Sequence, residues 1–196
     1  MAIPVLETQR LRVRPLTLDD LGFCHELWLE IGWADAALGV RENLDRRRSW
    51  LEWTIRSDAE LERLHQPPYG ERAVVLEDGR RVGLVGLVPL LQPFAQLPSL
   101  GGVRNARFSA GVGLFWAVTP REQRRGYASE AARALVGFAF EALSLDRIWA
   151  CTERENVASI AVMRRLGMRV EENPFPKPEW SQVHGVLDST VWERRP

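Results

Sequence analysis

The chain has 196 residues, 45% of them hydrophobic and 27% charged, and its 26 basic and 26 acidic side chains leave a formal net charge of zero. That is the balance of a globular protein, with length for one ordinary domain or two very small ones. A neutral chain is not built to bind nucleic acid non-specifically over a broad face, and no run of ~18 apolar residues offers a membrane span.

The chain is expected to be one α+β domain over residues 1–196. Arg10-Leu-Arg-Val-Arg14 alternates strictly, the mark of a half-buried strand with Leu11 and Val13 inward. Thr17 with Asp20 three residues on makes a capping box, so a helix is expected from about Leu18 to Glu30, with Gly32 near its end. Asn43 reads as the cap of a second helix through Trp50 and Ile55. Ser57 with Glu60 reads as the cap of a short third one that stops before Pro67-Pro68. Ala73–Glu77 and Val82–Leu91 read as a hairpin about the Asp78-Gly79 turn. Residues 93–107 are a long loop, and long loops in compact domains are often functional.

Gly113–Thr119 is apolar and β-prone, and Pro120 stops it. Gln123-Arg-Arg-Gly-Tyr-Ala128 follows, and then an Ala/Leu/Phe-rich helix to Leu143 with Ala131, Leu135, Phe138, Ala139 and Ala142 on one face. Strand, tight glycine turn and helix start together make either a plain βα connection or an anion site. The glycine adopts positive φ and bares the backbone, and the first helical turn offers unpaired N–H groups and the positive end of the dipole. Arg121, Arg124 and Arg125 surround the turn. Further on, Arg147–Thr152 is a buried strand, Asn156 opens a helix ending at Gly167, Met168–Val170 begins a strand, and Val183–Trp192 is the last strand.

Cys24 and Cys151 match no metal spacing, and His25, His65 and His184 form no cluster, so two free buried thiols and no metal are expected. The first residues lack a charged-then-apolar leader, and the cytoplasm is the expected compartment.

These residues resemble the GNAT superfamily of N-acetyltransferases, and more narrowly its branch of ribosomal-protein N-terminal acetyltransferases. Glu7-Thr-Gln-Arg-Leu-Arg-Val-Arg14 is similar to that branch's opening E-T-x-R-L-x-L-R strand. Gln123–Ala128 is similar to the Q/R-x-x-G-x-G/A acetyl-CoA loop, Tyr127–Ala131 to Y-A-[ST]-E-A, and Asn156–Met168 to N-x-x-S…LGM. The resemblance implies a mixed central sheet splayed into a V and flanked by helices on both faces, with acetyl-CoA lying in the V. It implies that the backbone of Trp116, Ala117 and Val118 pairs with the pantetheine, and that Gln123, Arg124, Arg125, Gly126, Tyr127, Ala128 and Ser129 hold the pyrophosphate. It gives Asn156 a contact with pantetheine or substrate. The residue-level reading makes Asn156 a helix N-cap, and both roles stay open.

The chemistry so implied is attack of a primary amine on a thioester, with the Val118 N–H facing the oxyanion. Many relatives place a Glu on the strand before the turn, where this chain has Gly111 and Gly113, and a Tyr on the last helix, where it has Met163. Glu153, Ser159, His184 and Asn156 are left as catalytic candidates, His184 being the side chain tuned to neutral pH. Trp28, Trp33, Trp50 and Trp53 cluster in the early region, and Trp33 and Trp53 are the candidates for the acceptor wall. The expected acceptor is a protein N-terminus or a small amine, and the expected assembly a monomer or homodimer. No acidic cluster in residues 18–66 favours a polycation. Two further readings are a non-catalytic acyl-CoA-binding module and a nucleotide-phosphate enzyme. The latter lacks both G-K-[ST] and G-x-G-x-x-G.

Overall fold

In the computed structural model residues 3–192 are described. Among them, eight strands and five α-helices make an α+β fold whose sheet is mixed, with parallel and antiparallel pairings. The chain divides into two compact units. One holds the chain up to Leu87 together with Phe115–Leu135, and the other holds Val88–Leu114 and the chain from Val136 on.

In the first unit the strands succeed one another in antiparallel order. β1 (Leu6–Glu7), β2 (Leu11–Pro15), β3 (Gly70–Leu76) and β4 (Arg81–Gln92) pair in sequence, with Leu6 opposite Val13 and Leu11 opposite Leu76. The alternation of residues 10–14 does what a period of two demands: Leu11 and Val13 are buried and Arg12 is exposed. The expected hairpin closes at Asp78-Gly79, where Leu76 N–H donates to Arg80 O at 2.9 Å.

A short 3₁₀ turn over Leu18–Asp20 leads into α1 (Leu21–Glu30). In place of the two further helices expected, α2 runs unbroken from Val40 to Arg63. Its true start is Gly39, whose N–H donates to Glu42 Oε2 at 2.8 Å. Asn43 lies inside the helix. Its amide reaches back to Asp35 O and Leu38 O at 3.0 and 3.2 Å, tying the preceding loop to the first turn. Ser57 is also interior and donates to Thr54 O at 3.1 Å, a local bond that leaves the helix intact. α1 and α2 bury Cys24, Leu27, Trp28 and Leu51 against Ala73, Val75, Leu84 and Ala117.

Asp20 carries more of this unit than a cap does. Its carboxylate is fully buried and takes both Arg14 guanidinium nitrogens at 2.8 Å, the Thr17 N–H at 2.8 Å, and Arg81. Burial pushes the carboxyl up, but these donors outweigh it and hold Asp20 well below the usual carboxylate range.

In the second unit the strand order is β5 (Ser109–Val118), β6 (Arg147–Thr152), β8 (Val183–Asp188) and β7 (Arg169–Glu172). β5 runs parallel to β6 with Gly113 opposite Trp149, and β8 is antiparallel to both of its neighbours. α4 (Val157–Leu166) starts at Asn156 and stops at Gly167, whose φ of 71° is the left-handed cap expected there. The last strand ends four residues early. Ser189 N–H donates to Asp146 O at 2.9 Å, and Ser189–Trp192 forms one helical turn, α5. The 93–108 loop is pinned from beneath by Gln96, whose amide donates to Arg104 O and Lys177 O at 2.8 and 2.9 Å and accepts from Asn173 at 2.7 Å.

Asp20→Asn is expected to destabilise the protein by about 3 kcal/mol, the low end for breaking a buried charged pair, because Arg14 and Arg81 keep some solvent. The folded pKa of Asp20 is depressed, so its contribution is present above the ordinary carboxylate range and is lost as pH falls through it toward the folded value. Urea melts at pH 7 and pH 3 check this: the wild type should lose stability between them by more than the variant does.

Candidate active site

The glycine turn lies in the first unit, between the end of β5 and the start of α3 (Tyr127–Glu141). The Thr119 N–H donates to Val82 O at 3.0 Å and fastens the end of β5 beside β4. A 3₁₀ turn over Pro120–Glu122 comes next. Two residues then take left-handed backbone, Arg124 with φ 63° and Gly126 with φ 84°. A Cβ on Gly126 would stand 3.4 Å from an Arg10 guanidinium nitrogen, so strain rather than crowding reserves the position for glycine. α3 then buries Ala131, Ala132, Leu135, Val136, Ala139 and Phe140; the buried ring is Phe140, and Phe138 is only half-buried.

The arginines around the turn divide. Arg125 lies 3.3 Å from the buried Glu122 carboxylate, which also takes Arg80 at 2.8 Å. Among the described residues Arg121 and Arg124 have no ion-pair partner and are exposed. Gln123 turns back to the strand and donates to Val118 O at 3.2 Å, so it holds the turn to β5. Tyr127 lies under the Arg10 guanidinium, 4.9 Å from ring centre to carbon. Ser129 Oγ is buried in the first turn of α3 with no hydrogen-bond partner. An orphaned hydroxyl, bare N–H groups at a helix start and two unpaired arginines are the donors that a pyrophosphate requires. The residues present therefore fit a coenzyme A diphosphate.

Glu130 braces this turn. Its carboxylate accepts from Thr8 Oγ1 at 2.6 Å, from Arg10 N–H at 3.0 Å and from Arg10 Nε at 2.8 Å. The same guanidinium donates to Arg125 O at 3.1 Å. Partial burial pushes Glu130 up, and the Thr8 and Arg10 bonds outweigh it, leaving the carboxyl below its usual value.

The aromatic group of the first unit includes Trp33 and leaves out Trp53. Trp28 packs edge-on to Trp33 at 5.8 Å, and meets Trp50 at 5.3 Å and Phe115 at 6.2 Å; Trp33 also meets Phe115 at 5.8 Å. Trp53 is 57% exposed, and among the described residues no ring partners it. It sits off the face of α2 that carries Trp50, Leu51 and Thr54. Two charged residues beside the aromatic group were not legible in the sequence, Arg47 on α2 and Glu71 on β3. The Arg47 guanidinium stacks over Trp28 at 4.1 Å and Trp50 at 4.8 Å.

The second unit holds the remaining candidates. Asn156 Oδ1 accepts the Ser159 N–H at 3.0 Å, a helix N-cap. Glu153 is exposed on the loop before it. His184 does not keep the neutral-pH tuning expected of it. It is 1% exposed, its Nε2 lies 2.8 Å from Ser181 Oγ, and burial, only partly offset by Glu171, pulls it down to about 4. Its titration is therefore removed from neutral pH. Met163 is fully buried against Gly185. A Cβ on Gly111 would stand 3.0 Å from the Trp149 ring, and one on Gly113 3.0 Å from Val88, so a carboxylate at either position, where relatives carry one, would need those side chains to give way. Both cysteines are unpaired, and burial pushes Cys24 up to about 12 and raises Cys151. Among the described residues no helix is long and apolar enough to cross a membrane.

The class is thus an α+β fold with a mixed sheet and a left-handed glycine turn opening a helix. Residues 10–169 match the acetyltransferase (GNAT) domain family, and the chain belongs to that family. Over 82 residues it is 45% identical to the uncharacterized N-acetyltransferase YnaD of Bacillus subtilis (strain 168), covering 39% of this chain and 48% of YnaD, about half the length of that relative. Over 164 residues it is 28% identical to spermidine N(1)-acetyltransferase of Escherichia coli (strain K12), covering 82% of this chain and 73% of that one. The fold is also that of RimL, a ribosomal L7/L12 alpha-N-protein acetyltransferase solved with coenzyme A, with a TM-score of 0.61 at 15% identity over 96% of this chain and 98% of that one.

Gly126→Val is expected to abolish coenzyme A binding. A β-branched residue at φ 84° costs roughly 1–2 kcal/mol in backbone alone and covers the turn's amides. Circular dichroism establishes that the variant is folded, and calorimetric titration with coenzyme A reads the loss. A folded variant with wild-type affinity would place the phosphates elsewhere.

Proposed function

We propose that the chain is an acetyl-CoA-dependent N-acetyltransferase that acetylates a primary amine directly, in a ternary complex, and that residues 1–196 act as one such domain. The observation that carries this reading is the turn itself: left-handed Arg124 and Gly126, the bare start of α3, and the orphaned Ser129 hydroxyl. Family membership supports it, and RimL is a member of this fold whose structure holds coenzyme A.

Acetyl-CoA, when bound, supplies an acyl group already activated as a thioester. The N–H groups of Arg124–Ser129 and the Arg121 and Arg124 side chains hold the diphosphate. The backbone of Trp116, Ala117 and Val118 would orient the pantetheine arm, and the Val118 N–H would be the donor offered to the acyl oxygen. Glu130 and Gln123 act at one remove by fixing the turn. Cys24, buried and with its thiol pushed up to about 12, is no nucleophile, and Cys151 is raised in the same direction. The acceptor amine stands against Trp33 and Phe115 in the first unit. With Met163 and the two glycines unable to move protons, and His184 held neutral well above its lowered pKa, the amine's proton leaves through water or an acid of the acceptor wall.

A second reading, a non-catalytic acyl-CoA-binding module, has one observation in its favour: the crowded Gly111 and Gly113 positions carry no carboxylate such as relatives use. Thioester consumption with a panel of amines separates the two. Turnover supports the enzyme, and coenzyme A binding without turnover supports the module.

Coenzyme A at 100 times its dissociation constant is expected to stabilise the protein by about 2.7 kcal/mol, a rise in Tm of roughly 5–10 °C. No shift in a thermal melt at millimolar coenzyme A would remove the basis of both readings. Initial rates are expected to intersect when both substrates are varied, and a Cys24→Ser, Cys151→Ser variant should keep most of its kcat. Parallel lines, or an acetyl-cysteine in a quenched digest, would show a covalent route instead.

A further inference from the structure

In the first unit, arginines and carboxylates that meet away from solvent close on one another. Arg14 and Asp20 join at 2.8 Å through both nitrogens, and buried Arg72 meets Asp58 at 2.9 Å. Arg47 and Glu71 do not close. They are near enough to feel each other's charge, yet among the described residues neither has an ion-pair partner, and the Glu71 carboxylate accepts a hydrogen bond from its own backbone N–H rather than from another side chain. Arg47 Nε is buried with nothing to donate to. The guanidinium is fixed over Trp28 and Trp50 at 4.1 and 4.8 Å, so it is not a loose side chain. Glu71 comes after Gly70 at the start of β3, whose Ala73 and Val75 pack in the core cluster beside Cys24, Trp28 and Phe115.

Partly buried opposite charges held apart are each left wanting a counter-charge. Burial acts on both in the direction of neutrality: it raises the Glu71 carboxyl and lowers the Arg47 guanidinium. A ligand with one positive end answers Glu71 and is repelled by Arg47. A ligand with one negative end does the reverse. Only a ligand bearing both satisfies both. Trp33 and Phe115 pack on Trp28, the ring beneath Arg47, at 5.8 and 6.2 Å, and Trp33 is 59% exposed, so an apolar body attached to those two ends has an aromatic wall one ring away from Arg47.

We propose that Arg47 and Glu71 are the two poles of an acceptor subsite that takes an amino carboxylate, an α-amino acid with an apolar side chain, with Glu71 receiving the ammonium and Arg47 the carboxylate. This rests on the acetyltransferase reading and names its acceptor class. It also separates this chain from a polyamine enzyme, because a second ammonium would sit against the Arg47 guanidinium. A protein N-terminus carries no free α-carboxylate beside its amine and matches the pair poorly.

Matched acceptors test it on the full-length protein: L-tryptophan against tryptamine, L-leucine against 3-methylbutylamine, and spermidine as the polycation. The expected result is a kcat/KM at least about tenfold higher for each amino acid than for its decarboxylated amine, with spermidine poorest, as loss of one charge-assisted bond would give. Arg47→Met keeps the apolar stem on the tryptophans and should bring that ratio close to one; Arg47→Lys should keep part of it. Glu71→Gln should raise KM for amino acid and amine alike. Each variant should retain the wild-type coenzyme A melting shift, a readout that a merely structural role for Arg47 or Glu71 would disturb. Amines as good as their amino acids, or an unchanged ratio in Arg47→Met, would overturn the proposal. So would the absence of turnover and of any saturable quenching of tryptophan fluorescence by the amino acids. The coenzyme A shift in the wild type reports separately on the acetyltransferase reading, so the two can fail independently.

Discussion

The turn depends on one carboxylate. Glu130 stands in the first turn of α3 and gathers the Thr8 hydroxyl, the Arg10 amide and the Arg10 guanidinium, and that guanidinium then reaches Arg125 O. Two left-handed residues, Arg124 and Gly126, lie on either side of Arg125. A backbone bent that way persists only where its surroundings over-determine it. The bonds to Arg10 and Thr8 do that by tying the loop before β2 to the start of α3. Their energetic worth is modest, because Arg10 is 45% exposed and exposed pairs contribute little. Their worth is geometric. Glu130 also places a negative charge where the helix dipole favours one. Arg10 neutralises it, so Arg121 and Arg124 still present net positive charge to an incoming diphosphate.

This brace explains why the turn is legible in the sequence. Glu7-Thr-Gln-Arg10 and Tyr127-Ala-Ser-Glu130 are separate motifs along the chain, and the structure brings Thr8, Arg10 and Glu130 into contact. Local rules also place β6, the Asn156 cap and the Gly167 stop, because each needs only neighbouring residues. They fail where a local signal is ambiguous. Asn43 and Ser57 have cap chemistry, but a side chain that bonds back to a carbonyl three or more residues earlier sits comfortably inside a helix, and α2 runs through both. Val183–Trp192 has strand composition throughout, yet only the stretch opposite β6 has a partner, and at Ser189 the chain turns away.

The acceptor side is less legible for a different reason. Four early tryptophans cannot be sorted by spacing alone. The helical phase of α2 turns Trp50 inward and leaves Trp53 off that face, while Trp33, in the loop after α1, joins the aromatic group through Trp28. Arg47 and Glu71 lie more than twenty residues apart in the chain, on α2 and β3, and what singles them out is that no side chain pairs with their charge. A sequence shows which charges exist. It does not show which of them are left unpaired.

That distinction sorts the polar groups of the first unit. The closed set, Asp20 with Arg14 and Arg81, Arg72 with Asp58, and Glu130 with Arg10, holds strands and helices in register. Groups left open include Arg121, Arg124, the Ser129 hydroxyl, the Thr119 hydroxyl, Arg47 and Glu71; Arg72 Nη1 and Glu122 Oε2 also lack a hydrogen bond, although each side chain has an ion-pair partner. Of the first six, four lie within or beside the glycine turn, and two lie on or near the aromatic group. A fold selected for stability alone would close such groups or replace them with apolar ones, because an unanswered buried donor costs more than an apolar substitute. Among the groups left open are donors beside the glycine turn and, near the aromatic group, one charge of each sign, Arg47 on the rings and Glu71 within reach of its charge. That division matches the demands of a two-substrate transfer. Under the proposed reading the diphosphate handle of the donor would be held by arginines, backbone N–H groups and the Ser129 hydroxyl, and the acceptor would be oriented by two poles of opposite charge.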